Sequence, residues 1–276
     1  MTNAISATIN LGFRKTVETM LKLDGVDVNA RDDDGRTALG VCVLAAAQSQ
    51  SRNEARNQLE IGRLLVARGA RADALGDARL LQSPLVMPIT SLNVAGTDDM
   101  YAWYDLLIGA GADPNSTSEV LVDGFRCRMS MLSRVLFFFP VTALITTEKR
   151  LALIKLLLRA GANPCVRDQG LDLLRDWGPR SYACTTYSAT WALDDAVARA
   201  PELADDEHYV AAKCLVKGVV AAGSYKKYVR LPLQELLNLL SLAQRGKLTT
   251  TDPVMKALVG VDNHVVWNVF TYWAES

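Results

Sequence analysis

The chain has 276 residues, of which 50% are hydrophobic and 22% are charged. This apolar content excludes a disordered chain, which lacks the surface needed to offset the entropy lost on folding. The 30 basic residues are balanced by 30 acidic ones, and this neutrality argues against a dedicated nucleic-acid binder, whose affinity depends on neutralising phosphates.

Histidine and cysteine are sparse. The two histidines, His208 and His264, exclude a zinc site with three histidine ligands and leave little scope for histidine-based catalysis. The five cysteines are odd in number and form no CxxC pair, so neither a disulfide framework nor a zinc ribbon is expected. We therefore expect a protein of a reducing compartment, the cytoplasm, with no metal and no cofactor.

No targeting or membrane-spanning segment is expected. Residues 1–13 lack the basic stretch and apolar run of a signal peptide. The longest apolar run, residues 135–145, is about 11 residues long, whereas a spanning helix needs about 20. The run is predicted to be a buried helix, and insertion into a membrane is not expected.

One pattern recurs four times along the chain: an amphipathic helix, a glycine and a short polar turn. It occupies residues 17–32, 60–73, 101–115 and 151–168. The glycines are Gly25, Gly69, Gly111 and Gly161, with spacings of 44, 42 and 50 residues. This recurrence predicts a stack of similar helical units.

The chemistry of each unit explains the pattern. Leucines at helical spacing predict one elongated core that contains Leu65, Leu107, Leu156 and Leu157. The last three glycines stand where a helix ends in the left-handed conformation, so they should have a positive φ. The polar residues that follow are expected to hold the turn through bonds from side chain to backbone; they are Asn29, Asp73 and Asn115.

These segments resemble the ankyrin repeat, whose outer helix ends in a leucine run and a GADxN turn. The corresponding residues here read GVDVN, GARAD, GADPN and GANPC. The family's hairpin and inner helix begin with a DxxGxTPLHxAA motif, and RDDDGRTAL at residues 31–39 matches its aspartate, glycine, threonine and leucine. Ala38 and Gly40 replace the proline and the histidine of the motif. The resemblance covers about residues 4–175, with repeats roughly 10 to 17 residues longer than the family's 33.

The resemblance implies an all-α fold, an ankyrin-like helical solenoid with short hairpins between repeats and a helical C-terminal cap. We expect residues 1–175 to form four clear but irregular repeats. Residues 176–276 are expected to form degenerate repeats and the cap, packed on the same solenoid, because a terminal repeat otherwise exposes its core. Helical patterns in this part occur at residues 190–199, 206–222, 232–244, 252–259 and 265–274.

A long hairpin is predicted before the fourth repeat. Asp123 and Gly124 form a strong two-residue turn signal between β-prone runs. Phe125 follows the turn and is flanked by Arg126 and Arg128, a composition typical of binding hot spots. The alternative is that Phe125 packs on a neighbouring hairpin, and the sequence leaves both open.

The function that the resemblance implies is non-catalytic protein recognition. In this family the hairpin tips and the exposed ends of the inner helices form a concave binding face. The residues in those positions here are Asp33, Asp34, Arg36, Leu44, Phe125, Arg126, Arg128, Gln169 and Asp172. We expect one protein partner, bound by an inhibitor, an antidote or an effector-type adaptor, which as an effector would act in a host cytosol.

Two other function classes stay open. Residues 229–242 faintly resemble the start of an F-box, with Leu231 and Pro232 opening a leucine-rich helix, and this would imply a ubiquitin-ligase substrate adaptor. His208 and Cys214, near an acidic cluster, would be the starting point for an unrecognised enzymatic site. Acidic residues are also favoured at a helix N-terminus, where they interact with the helix dipole.

Overall fold

The computed structural model describes residues 2–72, 97–122, 125–137, 146–165 and 189–247, and positions 251, 256, 261, 264–266 and 268. Over these residues the fold is mostly helical, as predicted, with one antiparallel two-stranded sheet. The elements are α1 (Thr2–Asn10), α2 (Arg14–Met20), α3 (Ala38–Gln48), α4 (Arg52–Ala67), α5 (Thr97–Gly109), β1 (Thr117–Val122), β2 (Phe125–Ser130), α6 (Met131–Phe137), α7 (Thr147–Arg159), α8 (Ala189–Arg199), a 3₁₀ helix (Pro201–Asp205), α9 (Glu207–Ala222) and α10 (Tyr225–Gln244). No helix in this part of the chain combines the length and the apolarity needed to cross a bilayer.

The chain divides into two compact units, Met1–Cys214 and Leu215–Ser276. The predicted boundary at residue 175 lies outside the described residues. So do most positions of the helices predicted at 252–259 and 265–274.

The helices of the first unit lie in two layers. In one layer α1 packs on α3, and α6 packs on α8. In the other layer α2 packs on α4, α4 on α5 and α5 on α7. Helix pairs α1–α2, α3–α4 and α6–α7 join the layers, so successive pairs stack side by side.

Three second-layer helices end in the same way. After α4 the N–H of Ala70 donates to the Leu65 carbonyl at 3.0 Å, and the N–H of Gly69 donates to Val66 at 2.9 Å. The same two bonds recur after α5 and α7, and together they form the Schellman motif. The glycines at these ends, Gly69, Gly111 and Gly161, have φ values of 86°, 90° and 97°, which confirms the predicted positive φ.

Two asparagines form hydrogen bonds from the turn of one repeat to the turn of the next repeat along the stack. Asn29 Nδ2 donates to the Gly69 carbonyl at 3.0 Å, and the Arg71 N–H donates to Asn29 Oδ1 at 2.9 Å. Asn115 makes the same pair of bonds, at 3.1 Å to the Gly161 carbonyl and 2.7 Å from the Asn163 N–H. The expectation that Asn29 and Asn115 hold their own turns is therefore wrong, because their side chains bond the following unit.

The bonds within each turn come from the residue two positions earlier. Asp27 Oδ1 accepts the Asn29 N–H, and Asp113 Oδ1 accepts the Asn115 N–H, both at 2.9 Å. These aspartates hold the backbone of the turn, which frees the asparagine side chain to reach its neighbour.

The leucine core is confirmed at three of its four predicted positions. Leu65, Leu107 and Leu157 are fully buried, whereas Leu156 is half-buried. The prediction for Leu156 is wrong because adjacent helix positions point about 100° apart, so Leu156 and Leu157 cannot face the core equally. Trp103 is also buried and lies against the backbone of Gly62, which has no side chain to obstruct it.

The additional residues of the second helix pair, α3 and α4, lengthen its helices. Helix α3 ends at Gln48 and α4 begins at Arg52, so most of residues 45–59 are helical. The Ser51 hydroxyl caps α4 by accepting the Glu54 N–H at 3.2 Å.

The prediction that Pro232 opens a helix is wrong. Helix α10 begins after Ser224, whose hydroxyl accepts the Lys227 N–H at 3.2 Å. Pro232 lies inside α10 at an exposed position, where it removes one helical N–H donor. The F-box resemblance therefore loses the helix start on which it rests.

Candidate partner-binding surface

The first hairpin, residues 31–37, is organised by the carboxylate of Asp32. The Asp32 N–H donates to the Arg36 carbonyl at 2.9 Å. Asp32 Oδ1 accepts the N–H groups of Asp34 at 3.1 Å and Arg36 at 2.8 Å, and Oδ2 accepts Arg36 Nε at 3.2 Å. One nearly buried carboxylate thus satisfies three donors and fixes the shape of the tip.

The charge of Asp32 is stabilised despite its burial. Burial alone raises the pKa of this carboxyl, but the backbone N–H and the guanidinium of Arg36 lower it further, and the net pKa lies below its usual value. Asp32 is therefore ionised at neutral pH, and it orients Arg36 by a charge-assisted bond.

The predicted residues of this hairpin occupy different environments. Asp33 and Asp34 are exposed at the tip. Arg36 is half-buried and paired with both Asp32 and Asp34. Leu44 is half-buried on α3, the helix that follows the hairpin. The exposed carboxylates of the tip are those of Asp33 and Asp34, and Arg31, at the start of the hairpin, is exposed as well and donates from Nη1 to the Gly35 carbonyl at 3.2 Å.

Asn3 joins the first hairpin to α1. Its Nδ2 donates to Asp33 Oδ2 at 2.6 Å, and its Oδ1 accepts the Asp33 N–H at 3.3 Å. Since α1 packs on α3, Asn3 holds the tip against the helix layer from which it projects. No feature of the sequence indicated this contact, which joins residues 30 positions apart.

The second hairpin has the predicted position and loop length. Strands β1 and β2 pair in register from Thr117 with Ser130 to Val122 with Phe125, which leaves two residues in the loop.

At the end of β2, Met129 and Ser130 are buried, and β2 contacts α6. The base of the second hairpin is therefore packed in the fold.

The two hairpins belong to the second and fourth helix pairs of the stack. Each leads directly into a first-layer helix, α3 or α6, and a hydroxyl caps that helix start. Thr37 Oγ1 accepts the Gly40 N–H, and Ser130 Oγ accepts the Ser133 N–H, both at 3.2 Å. Gln169 and Asp172, predicted for the next hairpin, lie outside the described residues.

The His208 region is explained by helix capping. Asp206 Oδ1 accepts the Tyr209 N–H at 2.7 Å, which caps α9, and its Oδ2 accepts the Thr147 hydroxyl at 3.0 Å. His208 Nε2 lies 3.5 Å from Glu207 Oε1. Over the residues that the structure describes, no three or more His, Cys, Asp or Glu side chains are grouped to hold a metal.

Two arginines of the fourth helix pair are buried. Arg134 on α6 and Arg150 on α7 are 1% and 2% exposed. Burial lowers the pKa of each guanidinium to about 10, so both stay charged at neutral pH. Sequence reasoning missed them because an arginine is usually exposed, and a single charge within a helical pattern gives no sign that it is buried.

No protein-family model matches the chain, and no curated protein is significantly similar to it. The ankyrin resemblance thus rests on the residues and turns described above.

Proposed function

We propose that the chain is a non-catalytic protein-recognition module, an ankyrin-like solenoid that binds one protein partner as an inhibitor, an antidote or an effector-type adaptor. The observation that carries the proposal is the repeated turn chemistry. Three second-layer helices end in the same Schellman motif, and two asparagines bridge successive units with the same pair of bonds. Repetition of one unit with nearest-neighbour links is typical of solenoids, which act mainly as binding scaffolds.

The turn bridges and the Asp32 cluster support binding because they hold the hairpins in place before a partner arrives. Asn3 and Asp32 fix the first tip. A loop that is already ordered loses less conformational entropy on association, and this favours tight, specific binding.

The partner proposed for the first hairpin presents a basic surface. Asp33 and Asp34 are exposed there, while Arg36 is paired within the hairpin. Opposite charge at this position would raise the association rate and select the orientation of the partner. Leu44, half-buried on α3, is the apolar contact beside it.

The experiment is affinity purification of the tagged chain from its native cell, with mass spectrometry of stoichiometric partners. An Asp33→Ala/Asp34→Ala variant should recover the partner at least tenfold less efficiently. The matched control is Asp24→Ala/Asp105→Ala, which removes two exposed carboxylates that lie outside both hairpins and should leave recovery unchanged. Equal losses for both variants, or the absence of any stoichiometric partner, would contradict the proposal.

A second pair of variants decides how the β1–β2 hairpin takes part. Phe125→Ala removes the predicted aromatic anchor, and Arg126→Ala/Arg128→Ala removes the two charges that flank it in the sequence. If Phe125 is the anchor, Phe125→Ala should weaken binding by about 1 to 3 kcal/mol. Arg126→Ala/Arg128→Ala should mainly lower the association rate. Retention of full affinity by both variants would exclude this hairpin from the interface.

A further inference from the structure

Three aspartates of the chain are followed directly by glycine, at residues 24–25, 34–35 and 123–124. An Asp-Gly pair can isomerise without an enzyme, because the glycine nitrogen can attack the neighbouring side-chain carboxyl and the glycine has no side chain to obstruct the ring that forms. The structure describes the first two pairs and gives them different surroundings. Comparison of these two pairs therefore shows what the fold itself does to this reaction.

The pair Asp34–Gly35 is held in place at the tip of the first hairpin. The Gly35 N–H donates to the Asp32 carbonyl at 2.8 Å, and the Asp34 N–H donates to Asp32 Oδ1 at 3.1 Å. The Asp34 carboxylate also pairs with the Arg36 guanidinium. Ring closure would have to break the bonds of both reacting groups, the Gly35 nitrogen and the Asp34 carboxylate, so the fold disfavours it.

The pair Asp24–Gly25 lies in the turn after α2, and both residues are exposed. Over the residues that the structure describes, neither the Gly25 N–H nor the Asp24 carboxylate has a hydrogen bond or an ion pair. Gly25 has a φ of 79°, and a Cβ at this position would meet no non-adjacent residue of the described chain within 4 Å. The carboxyl carbon and the nitrogen of this pair are therefore not held apart by other contacts.

We infer that Asp24 is a modification site at which the folded chain converts slowly to an isoaspartyl linkage. The Gly25 nitrogen bonds to the side-chain carboxyl carbon of Asp24, and the amide proton leaves with the carboxyl hydroxyl as water, which gives a five-membered succinimide. Water then adds to one of the two ring carbonyls and breaks its bond to nitrogen. Addition at the side-chain carbonyl restores aspartate, whereas addition at the main-chain carbonyl leaves the backbone running through the side-chain carbons. The reaction involves no oxidation and no reactant besides water.

The modification site precedes the link between the first two repeats. Three residues after Asp24, Asp27 Oδ1 accepts the Asn29 N–H, and the Asn29 side chain bonds the Gly69 carbonyl and the Arg71 N–H. An isoaspartyl linkage adds one CH₂ group to the backbone, so the chain from α2 would enter this turn with a different length. Modification of Asp24 should therefore weaken the bridge that Asn29 makes. This inference goes beyond the proposed recognition function, because neither hairpin takes part.

The experiment is ageing of the full chain in neutral buffer for several weeks, followed by tryptic digestion and mass spectrometry. Trypsin releases the two pairs on separate peptides, residues 23–31 and 32–36. An isoaspartyl peptide has the same mass as the original but a different retention time and different backbone fragments. In the folded chain, Asp24 should convert at least about tenfold faster than Asp34, since each bond that must break slows ring closure at Asp34.

A parallel incubation in guanidinium chloride separates the effect of the fold from that of the sequence. With the fold removed, the rates at Asp24 and Asp34 should become similar. Absence of isoaspartate at Asp24 in the folded chain, or equal rates at the two sites in the folded chain, would overturn the inference. An equally large difference in guanidinium chloride would overturn it as well, because the neighbouring sequence would then account for the difference.

The matched control variant is Asp24→Glu, which keeps the exposed carboxylate. Glutamate would have to form a six-membered ring, which closes more slowly, so position 24 should keep its normal linkage. Hydrogen exchange of the Arg71 N–H should be faster in aged than in fresh wild-type chain and unchanged by ageing in Asp24→Glu. Equal exchange in aged and fresh wild-type chain, with isoaspartate present at Asp24, would overturn the link between the modification and the bridge.

Discussion

Asp32 satisfies two backbone N–H groups and one guanidinium at the first hairpin. Replacement of its carboxylate removes the acceptor of both backbone groups and leaves Arg36 paired with Asp34 alone. We therefore expect Asp32→Ala to lower the free energy of unfolding by about 1 to 3 kcal/mol, measured by urea denaturation. Asp34→Ala is the control, because its carboxylate is exposed and its loss should cost within about 0.5 kcal/mol. Equal losses would show that the hairpin is not organised by Asp32.

The lowered pKa of Asp32 also gives stability a defined pH dependence. The folded state binds the Asp32 proton more weakly than the unfolded chain, whose pKa is near 3.8. The stabilising contribution is therefore complete above the unfolded pKa and disappears as pH falls through the lower folded pKa. Asp32→Asn should reduce the acid-induced loss of stability between about pH 5 and pH 2, measured by urea midpoints. Parallel pH profiles for the two proteins would contradict the prediction.

Gly62 is a packing requirement of the contact between α4 and α5. A methyl group at this position would lie 2.8 Å from the Trp103 ring, and Trp103 is 1% exposed, so its ring has little room to move. Gly62→Ala should destabilise the protein by about 1 to 3 kcal/mol, measured by thermal or urea unfolding. Gly40→Ala, in α3, is the control: its nearest contact is Thr37 Oγ1 at 3.4 Å, and alanine there should be neutral or stabilising by up to about 1 kcal/mol.

The end of α5 provides a test at the scale of one element. Gly111 has a φ of 90° and Gly109 is the last residue of the helix, and neither would meet another atom within 4 Å on gaining a methyl group. Steric space is therefore matched, and only the backbone conformation differs. Gly111→Ala should cost about 1 to 2 kcal/mol, and Gly109→Ala should be neutral or stabilising. Equal urea midpoints for the two variants would contradict the left-handed turn.

The local chemistry of these elements could be predicted from the sequence, but their long-range contacts could not. A glycine after a leucine-rich helix specifies its own conformation, so Gly69, Gly111 and Gly161 were predictable. Asn29 and Asn115 bond residues 40 to 48 positions away, and a side chain that can hold its own turn gives no sign that it reaches another.

The helix start that was predicted at Pro232 shows a second limit of prediction from the sequence. Proline suits the first helical position, yet Ser224 caps α10 earlier and the helix continues through the proline. The sequence contains both signals, and the outcome depends on the combined helical preference of the residues between them. The candidate site shows the same division: the hairpin positions were predictable, whereas Asn3 and the Asp32 cluster became visible only in the folded chain.

In the unit Met1–Cys214, each second-layer helix packs on its immediate neighbours. Destabilisation of one helix pair should therefore affect the adjacent pairs first. Leu157 on α7 is fully buried, and Leu157→Ala should lower the free energy of unfolding by about 2 to 5 kcal/mol. Hydrogen exchange should rise most in α5, α6 and α7 and least in α1 and α2, because a linear stack couples neighbours more strongly than distant units. Leu156→Ala is the control, since this half-buried residue should cost clearly less. A uniform rise in exchange across residues 2–165 would instead show that all helix pairs unfold together, whereas the repeats of a solenoid can unfold locally.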